Sequence, residues 1–214
     1  MASIKNSNLG QAWLVLLLSI VFSVSLAAVH MNLSPVIAEN QLKEIMENIP
    51  VLVAGPDSTA NTDSFDISQR MITVTKGAVS KSYAVYDALD KSGNIAGHVV
   101  KASGQGYGGK IELLLGLDPE AKTITGLFIL GGHKETPGLG DKITQDNWRN
   151  QYVGKSSDSP LDVIKGTSVN DNEIDAISGA TISSRAVTDI VNSTIADIKT
   201  KIIIPESGNS MENK

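Results

Sequence analysis

The segment Asp175-Ala176-Ile177-Ser178-Gly179-Ala180-Thr181-Ile182-Ser183-Ser184 places small hydroxyl residues directly before a helical pattern. Two chemistries suit it. A Ser or Thr side chain at a helix start caps the orphan amides of the first turn. The same amides, with the positive end of the helix dipole, favour a phosphate. Gly179 and Ala180 leave the backbone open to a bulky ligand. Neither Ser178 nor Ser183 stands in a G-x-S-x-G or S-x-x-K context, which argues against a serine hydrolase.

A second candidate is His133-Lys134-Glu135-Thr136-Pro137-Gly138-Leu139-Gly140-Asp141-Lys142. Its glycines and proline suit either a surface loop or a loop of defined shape over a flat ligand, with Leu139 as an apolar contact. The third, Gly104-Gln105-Gly106-Tyr107-Gly108-Gly109, matches part of a dinucleotide fingerprint. It lies between strand candidates with no helix after it, so it reads as a bulge or a tight crossing.

Composition narrows the chemistry further. The chain has 214 residues, 41% hydrophobic and 19% charged, enough for one globular domain and an anchor. With only 3 Phe, 2 Trp and 4 Tyr, its core must be mainly aliphatic. The absence of cysteine excludes disulfides, thiolate zinc sites, Cys-ligated iron–sulfur clusters and a Cys nucleophile. His30, His98 and His133 lie far apart, and no metal site is expected. A net charge of −5 argues against nucleic acid as a partner.

Residues 12–29 carry no polar side chain except Ser19, Ser23 and Ser25. As a helix they reach roughly 27 Å, close to a bilayer core, and the helix can extend to residue 33. Trp13 sits where an interfacial aromatic would sit. Lys5 is the lone basic residue ahead of the span, which favours a retained anchor over a signal peptide cleaved near Ser25-Leu26-Ala27. The expected organisation is a cytoplasmic amino terminus (1–11), a transmembrane helix (12–33), an extracytoplasmic domain (34–204) and a flexible tail (205–214).

The rest of the pattern predicts a helix over 41–49 with Leu42, Ile45, Met46 and Ile49 on one face, stopped by Pro50. Residues 54–68 read as a loop and 71–75 as a strand. Strands 83–89 and 95–102 form a hairpin, and strands 110–115 and 123–130 turn at Asp118-Pro119. A helical turn is expected over 146–152. Val187, Ile190, Val191, Ile195, Ile198 and Ile202 predict a helix over 183–201, ended by Pro205. The fold class is α+β with a mainly antiparallel sheet and flanking helices.

Taken together, these segments resemble the G subunit of Rnf electron-transport complexes and, more distantly, the C subunit of the sodium-pumping NADH:quinone reductase. The resemblance rests on the amino-terminal helix, the GYGG-x-I segment, HKETPGLGDKI followed by Trp148, and Ser178-Gly179-Ala180-Thr181 before the last helix. It implies one FMN per chain, joined through a phosphoester to Thr181 by a separate flavin transferase that uses FAD. Asp175 matches the acidic position ahead of the motif, and Ser183 stands where relatives often have Thr. Ser178, Gly179, Ala180 and Ser183, with Glu135, Thr136, Pro137, Gly138, Leu139 and Gly140, are the implied FMN-binding residues, Glu135 holding the loop rather than meeting the ring. The implied role is a single-pass inner-membrane redox subunit of an ion-translocating ferredoxin:NAD oxidoreductase. It would work beside other membrane and redox subunits and have no complete activity alone. Alternatives are a quinone-reductase subunit, a stand-alone extracytoplasmic FMN carrier, or an anchored non-redox assembly or ligand-binding module.

Overall fold

The computed structural model describes residues 8–55, 64–77, 79–131 and 134–203. The expectations for His133, for most of the 54–68 loop, for the extreme amino terminus and for the tail after residue 204 fall outside them. Two compact units divide the chain, Met1–Lys43 and Glu44–Lys214.

Helix α1 (Asn8–Ala54) supplies the first unit. It is the one helix among the described residues long and apolar enough to cross a membrane, and none of its most apolar stretch is buried within the protein. Pro50 does not stop it, contrary to the sequence expectation: the helix continues to Ala54. A proline inside a helix costs about 3 kcal/mol. Ile49, Leu52 and Val53 are all buried in the second unit, beside Ile45. Burying such side chains stabilises by about 1.5–3 kcal/mol each, which outweighs the break. Of the four residues expected on one face, Ile45 and Ile49 are buried, Met46 is partly buried and Leu42 is exposed.

The second unit is built on a five-stranded antiparallel meander: β1 (Asp66–Lys76), β2 (Val79–Leu89), β3 (Ile95–Gln105), β4 (Lys110–Leu117) and β5 (Ile124–Ile129), paired in chain order. β1 is longer than the 71–75 expected. The reason is its partner: β1 and β2 pair from Asp66↔Leu89 to Lys76↔Val79. Strand β4 reads Lys-Ile-Glu-Leu-Leu-Leu-Gly-Leu because both faces of the sheet are covered. Ile111, Leu113, Leu115 and Leu117 join the core that contains α3 (Thr181–Ile203), whereas Leu114 joins the core that contains Ile45, Ile49 and Leu52.

In the 104–109 segment Gly104 and Gln105 end β3 and residues 106–109 form a hairpin turn, not a bulge. Gln105 pairs with Lys110 in regular register, and the bulges lie instead at Ala88/Leu89 and Gly116/Leu117. Helix α2 (Asp146–Arg149) runs into a 3-10 turn at Asn150–Tyr152, within the helical turn expected over 146–152. Two short parallel strands, β6 (Asp162–Ile164) and β7 (Glu173–Asp175), carry no clear sequence pattern. They lead the chain into α3, whose buried Val187, Ile190, Val191, Ile195, Ile198 and Ile202 follow the helical period read from the sequence.

Candidate functional site

α3 starts two residues earlier than its apolar period. Ser184 N–H donates to Ala180 O at 3.0 Å as the first intrahelical bond, so Ala180 takes the cap position and Thr181 is the first helical residue. The capping role expected for a hydroxyl here is therefore not realised. Ser184 instead braces the approach to the helix: its Oγ accepts from Ile177 N–H at 3.0 Å and donates to Ala180 O at 3.1 Å. The amides of the first turn have no acceptor within the helix and face the space ahead of it.

That space is a cleft of about 730 Å³, within the usual range for a small-molecule or cofactor site. Residues 176–183 form its floor and one wall. Thr136, Leu139 and Gly140 come from the glycine-rich loop, Tyr107 from the β3–β4 turn, and Lys165 and Gly166 from the chain after β6. Thr181 is half-buried on the wall. Gly179 sits at φ +82°, and a Cβ there would lie 2.9 Å from Leu139 Cδ1, so two chain segments nearly touch at the floor.

Of the residues singled out in the sequence, Ser178, Gly179, Ala180, Thr181, Ser183, Thr136, Leu139 and Gly140 line this cleft. Pro137 and Gly138 are in the same loop but not in the lining, and Gly138 makes the turn at φ +73°. Glu135 is also outside the lining. It is buried, with Oε2 accepting from Ser183 Oγ at 2.5 Å and Oε1 accepting from Gly108 N–H at 3.1 Å. One carboxylate thus ties together the glycine-rich loop, the β3–β4 turn and the first turn of α3. The glycines make room for it: a Cβ on Gly140 would lie 2.8 Å from Glu135 Oε2, and one on Gly108 would collide with Lys134 O. The tight crossing read at 104–109 is this contact.

Asp175 does not line the cleft either. Its Oδ1 accepts from Ser168 N–H at 2.5 Å, its carbonyl accepts from Trp148 Nε1–H at 2.8 Å, and its N–H donates to Gln151 Oε1 at 2.7 Å. It thereby holds the 165–168 segment, which brings Lys165 and Gly166 to the cleft. Lys165 and Gly166 escape a sequence reading because nothing in their local sequence marks them; only the β6–β7 pairing brings them to the cleft. Tyr107 is visible, but inside a motif whose signal is its glycines. Among the described residues no cluster of His, Asp and Glu suits a metal ion.

Residues 106–196 match the model of the FMN-binding domain family, a range that contains the whole cleft lining. The chain is 33% identical over 149 residues to the G subunit of the proton-translocating ferredoxin:NAD(+) oxidoreductase complex of Clostridium ljungdahlii, covering 70% of this chain and 69% of that protein. The chain belongs to the family of G subunits of ion-translocating oxidoreductase complexes. The G subunit of the Na(+)-translocating ferredoxin:NAD(+) oxidoreductase complex of Acetobacterium woodii is 42% identical over 78 residues, 36% of either chain. The crystal structure of Shewanella oneidensis NqrC superposes on this member of the G-subunit family with a TM-score of 0.63, covering 77% of this chain and 97% of that one at 19% identity. At that identity the likeness establishes the fold.

The residues present fit FMN. The lining has an apolar part in Leu139, Ile177 and Ile182 for a flat ring, hydroxyls at Thr136, Ser178 and Thr181, and a helix amino end for a phosphate.

Proposed function

We propose that this chain is the electron-transfer G subunit of an Rnf-type ion-translocating oxidoreductase and carries one FMN through a phosphoester to Thr181. The observation that carries this reading is the placement of Thr181: first residue of α3, half-buried, on the wall of the cleft inside the FMN-binding match. A phosphodiester keeps a negative charge at neutral pH, and the free amides and dipole of the α3 amino end favour that charge at this position. Bound flavin supplies one- and two-electron chemistry; the chain holds the ring, tunes its potential and limits water.

Helix α1 supports membrane attachment. The reading places its amino end in the cytoplasm and the FMN domain outside, where free FMN is not on hand and a covalent tether has a purpose. Attachment requires a flavin transferase using FAD, and electrons pass to and from neighbouring subunits of the complex, so the isolated chain has no complete activity. The NqrC-like fold is compatible with a quinone-reductase subunit, but the sequence relatives favour the G subunit. The test is intact mass and peptide mapping after coexpression with the transferase. The wild type gains the FMN mass on the Thr181 peptide and Thr181→Ala gains none. An FMN mass on another residue overturns the site, and a chain that gains no flavin favours an anchored, non-redox module.

A further inference from the structure

We propose that Lys165 sets the charge of the cleft and, with FMN in place, favours the reduced ring over the oxidised one. The inference rests on the FMN reading above and adds a residue that neither motif contains.

Among the described residues, Lys165 is the only charged side chain in the cleft lining. Two of the carboxylates on the segments that form the cleft, Glu135 and Asp175, are turned to structural tasks, and a third, Asp141 beside Gly140, has a buried Oδ1 without a hydrogen-bond partner. Glu135 is buried and takes hydrogen bonds from Ser183 and Gly108. Asp175 takes one from Ser168 N–H. None of the three lines the cleft and none pairs with the lysine. Among the described residues Lys165 has no hydrogen bond or ion pair of its own. A cation without a partner, on the wall of a site whose other walls are apolar or neutral, is available to the ligand.

Its backbone is well placed for this. Ile164 pairs with Asp175, and Ala176 N–H donates to Ile164 O at 2.8 Å, so the chain leaving β6 is held beside the strand that leads to Thr181. Ser168 N–H on Asp175 closes the other end of the segment. The backbone is thus held on both sides of Lys165, whose exposed side chain has no partner among the described residues. Reduction adds negative charge to a bound flavin, and a positive charge in a cleft partly walled by Leu139, Ile177 and Ile182 lowers the cost of that charge. The side chain is exposed, so salt weakens the effect.

The experiment is redox titration of the flavinylated full chain in detergent, comparing wild type with Lys165→Gln, Lys165→Arg and Lys165→Glu at low and high salt. Lys165→Gln is expected to change the one-electron equilibrium by about three- to tenfold against reduction, tenfold being about 59 mV. Lys165→Glu moves it further in the same direction, Lys165→Arg leaves it near wild type, and the differences shrink in about 1 M salt. Melting of the variants stays at the wild-type value, because the lysine supports no other group. Equal potentials in wild type, Lys165→Gln and Lys165→Glu, with FMN on Thr181 in all three, overturn this inference alone. A wild type without FMN overturns the reading beneath it.

Discussion

Ser183 Oγ donates to Glu135 Oε2 at 2.5 Å, joining residues 48 positions apart, and both side chains are buried. Because Glu135 also receives Gly108 N–H, removing its carboxylate orphans two donors at once. Leaving a buried donor unpaired costs about 1–3 kcal/mol. Ser183 Oγ is such a donor whereas Gly108 is exposed, so Glu135→Ala should lose about 1–3 kcal/mol in chemical denaturation. Glu135→Gln should lose less than half of that: its amide oxygen can accept from Gly108, and its amide nitrogen can donate to Ser183 Oγ. Equal losses in the two variants would mean that the clamp acts by charge rather than by hydrogen bonding.

Gly179 and Leu139 form a second pair. Gly179 lies at φ +82°, and a Cβ would meet Leu139 Cδ1 at 2.9 Å. Gly179→Ala faces two separate penalties, the left-handed backbone at about 1–2 kcal/mol and the clash. Adding Leu139→Ala removes the clash and leaves the backbone term. The double variant should therefore be more stable than the sum of the single losses predicts, a coupling readable in a double-mutant cycle. Strict additivity would show that the two segments are not in contact in solution.

The sequence is most legible where a period runs long enough to be read. The apolar residues of α3 recur at helical spacing, and the strands on either side of Lys91-Ser92-Gly93-Asn94 alternate around a turn. The errors come from tertiary contacts overriding local rules. Pro50 breaks helices in isolation, but burial of Ile49, Leu52 and Val53 carries α1 past it. In the site, the glycine-rich loop and the segment around Thr181 announce themselves by composition. Lys165 and the holding role of Asp175 do not, because both arise from a two-stranded parallel pairing of three residues each, too short to leave a period.

A pH dependence of stability follows from Asp87. Burial alone would raise its pKa, but hydrogen bonds from His98 and Arg70 outweigh that and hold the folded value below the ordinary one. His98 Nδ1 lies 2.5 Å from Asp87 Oδ1, and Arg70 Nε donates to Oδ2 at 2.6 Å. A depressed carboxyl pKa contributes stability that is fully present above the unfolded value, about 3.9, and is lost as pH falls through the folded value. Denaturation midpoints of wild type should therefore drop below about pH 4. Asp87→Asn should be less stable than wild type at pH 7, with a difference that narrows on acidification. A constant difference from pH 7 to pH 3 would assign the loss to packing alone.

The last prediction concerns the division of the chain. Among the described residues, every member of the two apolar cores lies at or beyond Ile45. The apolar side chains of residues 13–37 are exposed, from Trp13 to Ile37. Exposed apolar side chains of that density need lipid or detergent, and they contribute nothing to the folded interior of the second unit. Deleting residues 1–38 starts the remaining helix at Glu39, and an acidic residue in the first turn complements the helix dipole. It also keeps Ile45, Ile49, Leu52 and Val53, which cover the sheet. The shortened chain should stay in solution without detergent. Its thermal midpoint should fall within a few degrees of the full chain's, since a change of 1 kcal/mol moves a domain of this size by about 2–4 °C. With the transferase and FAD supplied in the same compartment, it should still gain FMN at Thr181. Detergent-free aggregation, or a midpoint lower by more than about 10 °C, a loss of several kcal/mol, would show that residues before Glu39 stabilise the second unit directly.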